Sequence, residues 1–292
     1  MDADRSGFPF VLCGGCQGRS VISARWIQPS RALRSRVAAI AYVANTAEAL
    51  RALPASGALL AIRFQGAVYD GCEVLPDVSL TGVQRSVRSF RYEGPVRSVL
   101  LRLTPQAVSS FGASAAELVD RTVGLAALGC DALLSLPDQL ARARDAATVL
   151  TCLEDALSPL PIRRDAGVER AIALLGRPAT GEGRAPQSGP SVRGVARELG
   201  LSERQLGRRF HAAVGLAPKQ FASVRRLEHA LRLLPWARTC AEVAHGAGYF
   251  DESHFARECA RITGVSPGTL RRSQRTELHV GTSDLYKSAN VP

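Results

Sequence analysis

The sequence predicts an α+β protein with a β-rich domain over residues 1–160 and an all-α domain over residues 161–275. Short β-prone runs separated by turn signals occupy residues 33–110, whereas apolar residues at helical spacing dominate residues 191–272. A stretch rich in Gly and Pro, residues 176–190, lies between them and is predicted to be a flexible connection. The 292 residues, of which 46% are hydrophobic, suffice for two separate cores.

The β-rich domain is predicted from short runs with turn-forming Pro and Gly residues between them, a pattern typical of a β-sandwich or barrel. The runs are VAAIAYVA (37–44), ALLAIRF (58–64), AVYDG (67–71) and VRSVLLRL (96–103). Residues 1–30 are predicted to be irregular. After Pro105, leucines at roughly helical spacing from Leu118 to Leu140 predict helices, and residues 138–157 predict a further one.

The positive charge of the chain is concentrated near its C-terminal end. Residues 191–275 contain 15 Lys or Arg and 7 Asp or Glu, a net charge of +8 out of +11 for the whole chain. A basic domain beside a nearly neutral one predicts a polyanionic partner. The alternative is a basic surface without a specific partner.

The sequence carries no signal for export. The first ten residues, MDADRSGFPF, lack a long apolar segment, and no run of 18 apolar residues occurs, so neither a signal peptide nor a membrane span is predicted. The seven cysteines are odd in number and irregularly spaced, which disfavours a secreted disulfide scaffold. We therefore expect a cytoplasmic protein that does not contact a membrane.

Cys13 and Cys16 form a CxxC pair, a spacing that can bind zinc or serve redox chemistry. No second CxxC or matching His pair accompanies it, and no strand precedes it. Two incidental thiols are the favoured interpretation. The sequence predicts no metal site and no cofactor.

The segment 191–215 predicts a helix-turn-helix unit. Ser191 is placed to cap a helix over residues 192–199, and Gly200 can adopt the positive φ that a tight turn needs. Ser202 is placed to cap a second helix with its apolar side chains toward the core. In this geometry the second helix enters the major groove of DNA.

Arg204, Gln205 and Arg208 are predicted to lie on the outward side of that second helix. Arginine can bond guanine O6 and N7 together, and glutamine can do the same to adenine. Arg209 and Arg193 are better placed for phosphates, which add affinity without sequence information. The alternative is that these arginines are solvated helix charges.

The segment 240–265 repeats the pattern. Gly248 stands four residues after Ala244, the same spacing as in the first unit, and Asp251 is the predicted helix cap. A lone histidine in this unit has no partner at metal-ligand spacing, so a contact with a base or phosphate is favoured over a metal site. The side chains predicted to project toward the bases are Glu252, Ser253, His254 and Arg257.

One long helix is predicted between the two units, over residues 218–234, with the apolar residues Phe221, Val224, Leu227 and Leu231 on one face. At ~1.5 Å per residue this helix is roughly 25 Å long, which can hold two recognition helices near the ~34 Å spacing of successive major-groove turns. Further phosphate contacts are predicted for Lys219, Arg225, Arg226, Arg271 and Arg272.

The segment 191–272 resembles the DNA-binding domain of AraC/XylS-type transcription regulators. The resemblance rests on SVRGVARELGLSERQLGRRFHAAVGLAPKQF, RRLEHALRLL and EVAHGAGYFDESHFARECARITGVSPGTLRR, in which GYFDESHF followed by GVSP is the most specific part. It implies a seven-helix domain, a long helix joining two recognition helices, and double-stranded DNA as the partner. The base-contacting positions of the family fall on Arg204, Gly207, Arg208, Glu252, Ser253, His254 and Arg257.

Three features depart from the pattern of the family. Gly207 has no side chain to contact a base, and it weakens its helix by about 1 kcal/mol relative to alanine. Cys259 stands where the family usually has a large apolar residue, and we expect a small buried side chain there. The connection 176–190 is longer than usual, which leaves the placement of the first helix, at 165–176, open.

Residues 1–160 resemble, by position and β-rich pattern, the sensor domains that precede this DNA-binding domain in relatives, which are often cupin-like β-barrels with dimerisation helices. The resemblance implies a homodimer, a small-molecule effector and contact with RNA polymerase at the nucleoid. The sequence identifies no effector-binding residue. The polar tail, residues 276–292, is predicted to be disordered.

Two alternatives to a regulator are weighed. Some DNA-repair alkyl-acceptor proteins couple a reactive cysteine to a similar DNA-binding module, but they need an activating base and zinc-binding thiols, and the sequence shows neither. No catalytic residue is therefore predicted. An architectural DNA-binding protein would leave the long β-rich part without a role.

Overall fold

The computed structural model describes residues 22–177 and 191–276. Three predictions therefore lie wholly or largely outside the described residues: the Cys13 and Cys16 pair, the connection at 176–190 and the tail at 276–292.

The β-rich domain contains, in the described part of the chain, eight strands in one antiparallel sheet. The strands are β1 Ile22–Ile27, β2 Val37–Asn45, β3 Ala49–Ala52, β4 Leu59–Asp70, β5 Glu73–Val74, β6 Val78–Thr81, β7 Arg88–Leu103 and β8 Thr122–Gly124. Their order is β1-β2-β7-β4-β6-β8, with β3 also paired to β7 and β5 to β4. The predicted β-rich architecture is confirmed, and the hydrogen-bonded order of the described strands does not close from β8 back to β1.

One strand lies where the sequence predicted irregular structure. Residues 22–27 form β1 and pair antiparallel with β2. Ala24 is buried whereas Ser23 and Arg25 are exposed, so the strand alternates between core and solvent as an edge strand does. The prediction was wrong here because the Gly- and Pro-rich flanks masked an alternation only six residues long.

The sheet bends in the middle of its two longest strands. The register between β4 and β7 shifts on either side of Gln65, and β-bulges of this kind bend a strand and increase its twist. Gly66 at this point has φ +76°, and a Cβ there would lie 2.7 Å from the Pro95 carbonyl oxygen. Beyond the bend, β7 changes partner from β2 to β3. The sheet thereby curls around a cavity of about 160 Å³.

The two faces of the sheet have different environments. Leu60, Ile62, Leu80, Val99 and Leu101 lie on the face that packs against the segment 105–160 and are fully buried in the largest core. The alternate residues of the same strands line the cavity on the other face. This alternation follows from the two-residue period of a strand.

The segment 105–160 is less helical than predicted. The leucines from Leu118 to Leu140, whose spacing predicted helices, lie in turns, in 3-10 helices and in α1 Leu136–Arg142. The strand β8 interrupts the segment, and a second helix, α2 Ala146–Leu157, ends it. Gly112 and Gly129, with φ +68° and +69°, end two of the 3-10 turns. Asp145 separates the two helices and caps α2 by accepting from the Thr148 amide, so the helix predicted at 138–157 was wrong as a single element.

The C-terminal region is all-α in its described residues. Its seven helices are α3 Ala166–Leu175, α4 Val192–Glu198, α5 Glu203–Val214, α6 Pro218–Leu233, α7 Cys240–Gly246, α8 Glu252–Thr263 and α9 Pro267–Thr276. The helices α3, α4 and α6 begin and end within one or two residues of those predicted at 165–176, 192–199 and 218–234. None of the described helices has the length and apolar character that crossing a membrane requires.

The helical region has two cores, and both reach into the β-rich domain. Phe210 packs edge-on against Phe221 in the first core, which also includes Val83 from the sheet side. The second core contains the α6–α8 side chains together with Leu53, next to β3. Gly215 marks the closest approach, because a Cβ there would lie 2.5 Å from the Ala115 carbonyl oxygen. The two regions are therefore in direct contact.

Candidate nucleic-acid interface

The first helix-turn-helix unit consists of α4, a tight turn and α5. The Ser191 side chain accepts from the Gly194 amide and begins α4, as predicted. Gly200 has φ +66°, the left-handed conformation that the turn needs. Ser202 begins α5 by accepting from the Gln205 amide, while the Gln205 side chain accepts from the Ser202 amide. This reciprocal capping box fixes the N-terminus of the recognition helix.

The capping box changes the expectation for one predicted base contact. The Gln205 side chain turns back to the helix terminus, 2.9 Å from the Ser202 amide, instead of projecting away. Arg204 and Arg208 are exposed, and neither has an intramolecular partner within the described residues. The two guanidinium groups are thus available to an external acceptor. A base contact by Gln205 stays a prediction that requires the capping bond to be exchanged.

The second unit repeats this construction with α7 and α8. Gly248 has φ +77°, matching Gly200, and Ala244 is buried beneath the turn. Asp251 caps α8 by accepting from the His254 amide at 2.6 Å. The Tyr249 and Phe255 rings pack 5.1 Å apart in the core. The order of small residue, glycine, cap and buried aromatic therefore produces the same local geometry twice.

The outward face of α8 holds three exposed predicted contacts, Glu252, Ser253 and Arg257. His254 is half-buried, because its ring lies edge-on to Tyr249 at 5.2 Å and its Nδ1 accepts from the Phe250 amide at 3.4 Å. These contacts give His254 a structural role at the N-terminus of α8. Its contact with a base stays a prediction.

The predicted phosphate contacts fall into two groups. Arg193 and Lys219 are exposed and, in the part of the chain that the structure describes, have no hydrogen bond or ion pair. The others already bind within the protein: Arg209 binds both oxygens of Asp165, Arg225 pairs with Glu228, Arg226 pairs with Glu258, Arg271 donates to the Arg238 carbonyl and Arg272 donates to Thr269. Phosphate contacts by this second group stay predictions, and each would require exchange of an intramolecular partner.

The ion pair of Arg209 with Asp165 connects α5 to the first helix of the region, α3. Arg209 Nε and Nη2 lie 2.9 and 2.6 Å from the two carboxylate oxygens of Asp165, which also caps α3. The guanidinium lowers the pKa of the Asp165 carboxyl because it stabilises the charged form. A side chain held by two hydrogen bonds positions the recognition helix on α3.

The helix α6 joins the two units as a single element of 16 residues. Its length is roughly 24 Å at ~1.5 Å per residue. The apolar face predicted for this helix is buried, with Phe221, Val224, Leu227 and Leu231 in the core. The helix is therefore packed against the rest of the domain along one face. The separation of α5 and α8 is therefore set by packing on a rigid element.

A substitution at Gly207 tests whether the backbone of α5 is helical at this position. A Cβ at this position would meet nothing within 4 Å. We expect Gly207→Ala to raise the free energy of unfolding by about 0.5–1 kcal/mol, because alanine loses less backbone entropy in a helix. Chemical denaturation measures this.

The matched control is Gly200→Ala, where a Cβ also meets nothing within 4 Å but φ is +66°. That change should lower the free energy of unfolding by roughly 1–2 kcal/mol, because alanine is strained in this conformation. Two changes of the same sign would contradict the assignment of the helix and turn.

One exposed residue at this surface, Phe250, was not predicted from the sequence. Phe250 precedes the cap of α8 and is 77% exposed, unusual for a large apolar side chain. The signal was present in the sequence, since Tyr249 and Phe250 are adjacent aromatics and only one can point into the core.

Cys259 is fully buried in the second core, as the sequence analysis expected of a small side chain there. Burial raises the pKa of its thiol to about 11, so the reactive thiolate is scarce at neutral pH. We expect iodoacetamide to alkylate the exposed Cys72 in the native protein and Cys259 only after unfolding. Peptide mass spectrometry reads both sites, and equal native labelling of the two would contradict this packing.

No group of three or more His, Cys, Asp or Glu side chains suited to a metal ion occurs within residues 22–177 and 191–276.

Comparison with known proteins agrees with this geometry. A family model described as a helix-turn-helix domain matches residues 195–273. The chain is 40% identical over 73 residues to the HTH-type transcriptional regulator MtrA of Neisseria gonorrhoeae, covering 25% of this chain and 24% of that protein. It is 33% identical over 90 residues to a protein described as an AraC-like transcription regulator of Streptomyces lividans, covering 30% of each.

The solved structure of unsaturated fatty acid bound ToxT from Vibrio cholerae is also similar. It is 12% identical, with 88% of this chain and 96% of that chain covered and a TM-score of 0.41.

The described helices and the matched model define a domain with two helix-turn-helix units. Residues 195–273 form a helix-turn-helix domain that is similar to part of each of these two regulators, in agreement with the sequence resemblance. The matches span about a quarter to a third of the length of the curated relatives.

Proposed function

We propose that the protein is a sequence-specific DNA-binding transcription regulator in which each chain reads two adjacent major-groove segments, one with α5 and one with α8. One observation supports this most strongly. Two capped recognition helices, each with exposed arginine on its outer face, are joined by one buried helix within a region of net charge +8.

Different residues would contact the bases and the phosphates. Arg204 and Arg208 on α5, and Arg257 on α8, bond guanine edges, because a guanidinium matches O6 and N7 together. Arg193 and Lys219 neutralise phosphates and set the salt dependence of binding. Glu252 accepts a hydrogen bond from a base in the second segment, and Ser253 accepts or donates one there.

The β-rich domain would supply regulation. The cavity enclosed by the sheet provides a place for a small effector, and the direct contacts between the domains provide a route to the recognition helices. Dimerisation through residues 1–160 and contact with RNA polymerase complete the proposal, following the sequence resemblance. A bacterial regulator of this kind acts in the cytoplasm at the nucleoid and performs no catalysis.

The test is selection of bound duplexes from a random DNA pool with the purified full chain at fixed salt. We expect a reproducible motif with two blocks about one helical turn apart, roughly 10 base pairs. Weak, strongly salt-dependent binding without a motif would overturn the proposal and indicate a basic protein that binds DNA nonspecifically.

Phe250 is expected to read a thymine methyl group at the edge of the second block, since an exposed aromatic beside a recognition helix can make such an apolar contact. Phe250→Ser should lower affinity for the selected duplex by roughly fivefold to tenfold and relax a thymine preference at one position. The matched control is Val74→Ser on β5, which is 57% exposed in the other domain and should change nothing. Unchanged base preferences in the Phe250 variant would exclude this contact.

A further inference from the structure

The most exposed large apolar side chains of the described residues lie beside the second helix-turn-helix unit. Trp236 is 78% exposed and Phe250 is 77% exposed, whereas α4 and α5 of the first unit carry no large apolar side chain of comparable exposure. Phe250 directly precedes the cap of α8, and Trp236 lies shortly before Thr239, the cap of α7. Tryptophan is enriched at interfaces, so an indole in water beside this unit indicates a partner that covers it.

The loop that carries Trp236, residues 234–239, is held in place through its backbone. The Trp236 amide donates to the Leu233 carbonyl at 3.0 Å, and the Arg238 amide donates to the Glu242 carboxylate at 2.7 Å. The Arg238 carbonyl accepts from Arg271 Nη2 of α9 at 2.6 Å. These bonds attach the loop to α6, α7 and α9. Its exposed side chains therefore extend from a fixed backbone, which lowers the entropy lost when a partner binds.

The surface around Trp236 is cationic. Arg238 is exposed, and its guanidinium has no hydrogen bond or ion pair within residues 22–177 and 191–276. The nearby Glu242 carboxylate is bound by the amide of Arg238 and not by its guanidinium. Arg271 brings a second positive charge to the same loop. A negatively charged partner therefore fits this surface.

The position of the loop in the fold favours DNA as that partner. Residues 234–239 lead directly into α7, the first helix of the second unit. In helix-turn-helix complexes the second helix enters the major groove while the first helix crosses the sugar–phosphate backbone. With α8 in the groove, the loop before α7 lies next to the backbone that borders this groove. An acidic protein surface would match the charge of the loop but not its position.

The chemistry of the two side chains matches a sugar–phosphate backbone. An indole has two apolar faces that can cover a deoxyribose ring and one N–H that can donate to a phosphate oxygen. A guanidinium can bind two phosphate oxygens at once. Contacts of this kind fix the orientation of a protein on the duplex without reading its sequence.

We propose that Trp236 and Arg238 bind the DNA backbone beside the major-groove segment that α8 reads, with the indole on a deoxyribose and the guanidinium on a phosphate. This contact anchors the second unit independently of base sequence, next to the base contacts of α8. The inference rests on the proposed function for the placement of α8 in the groove. Neither residue was predicted from the sequence to contact DNA.

Fluorescence tests the contact of Trp236 directly, because Trp26 and Trp236 are the two tryptophans of the chain. Trp26→Phe leaves Trp236 as the reporter, and Trp236→Phe is the matched control that leaves Trp26 on β1. When the selected duplex saturates the full chain, we expect the emission of Trp236 to move to shorter wavelength and its quenching by acrylamide to fall severalfold. Neither signal should change in Trp236→Phe.

Two outcomes of this measurement would overturn the proposal. Quenching of Trp236 that is the same with and without the duplex would show that DNA does not cover the indole. Weak quenching already in the protein alone would show that the protein itself, or a second copy, covers it. If Trp26→Phe does not fold, the difference between the parent and Trp236→Phe reports the same indole.

The salt dependence of DNA binding tests Arg238. Each neutralised phosphate steepens the fall of log affinity with log salt by about 0.9, so Arg238→Ala should make this slope shallower by about that amount for the selected duplex. Arg142→Ala on α1 removes an exposed arginine from the β-rich domain and should leave the slope unchanged. The same slope in the parent and in Arg238→Ala would contradict the phosphate contact.

The base preferences of a Trp236 variant test whether the contact is to the backbone. Trp236→Ala should lower affinity for the selected duplex by roughly threefold to tenfold, as loss of one hydrogen bond and its apolar contact predicts. Its base preferences should match those of the parent, because backbone contacts carry no sequence information. A relaxed preference in the second block would show a base contact and overturn the assignment.

Failure of this contact and failure of the proposed regulator are distinguishable. A selected motif without protection of Trp236 would refute the contact and leave the regulator. If no motif is selected, the same titration uses a duplex of random sequence at low salt, where nonspecific binding is strong. Protection of Trp236 by that duplex would refute the regulator and leave the backbone contact, and its absence would refute both.

Discussion

Glu228→Ala is expected to lower the free energy of unfolding by about 3–5 kcal/mol, because removing one partner leaves the other charge buried without compensation. Arg102 is 5% exposed, and burial already lowers the pKa of its guanidinium while Glu228 opposes that effect. Ser56 would also lose the acceptor of its amide and hydroxyl. Chemical denaturation of the full chain measures the loss.

Two comparisons separate this effect from a general effect of losing a glutamate. Glu198→Ala removes an exposed partner of Arg170, with side chains 47% and 53% exposed, and should cost less than about 1 kcal/mol. Glu228→Gln keeps hydrogen-bonding capacity toward Ser56 and should cost less than the alanine change. A Glu228→Ala variant as stable as Glu198→Ala would show that the buried contact between β7 and α6 is absent.

Loss of Arg208 and Arg257 should produce the largest change in DNA binding. Each arginine that bonds a guanine at two points contributes about 1–3 kcal/mol of discrimination. The two residues lie on different recognition helices, so their effects should add. The single variants should each lower affinity for the selected duplex by roughly fivefold to a hundredfold, and the double variant by the product.

The pattern of base preferences is more informative than the affinity. Arg208→Ala should relax one position in one block and leave the other block intact, and Arg257→Ala should do the reverse. Arg142→Ala on α1 removes the same charge from an exposed site in the β-rich domain and should leave both blocks unchanged. Relaxation of the same block by both recognition-helix variants would contradict the assignment of one helix to each block.

The sequence predicted the helical region well because its signals are local. Ser191, Ser202 and Asp251 each cap a helix through an amide three residues ahead, and such pairs can be recognised from the sequence alone. Gly200 and Gly248 mark turns for an equally local reason. The capping box of Ser202 and Gln205 was also readable, and assigning Gln205 only to base contact overlooked it.

What the sequence did not predict depends on contacts between distant residues. The partner of Arg209 is Asp165, 44 positions earlier, and that of Arg102 is Glu228 on another domain. No local pattern indicates such pairs. The leucines of the segment 105–160 illustrate the same limit, because spacing reports which side chains are buried but not whether the backbone between them is helical.

In the proposed mode of binding, one chain holds two recognition helices at a spacing fixed by α6. Its most direct test is to insert about five base pairs, half a helical turn, between the two blocks of the selected duplex and measure affinity at fixed salt. We expect affinity to fall at least tenfold, to that of a duplex with a single intact block, because a buried 16-residue helix cannot turn one unit to the opposite face of the DNA. Unchanged affinity after the insertion would contradict it, since the two blocks would then be read by units that move independently.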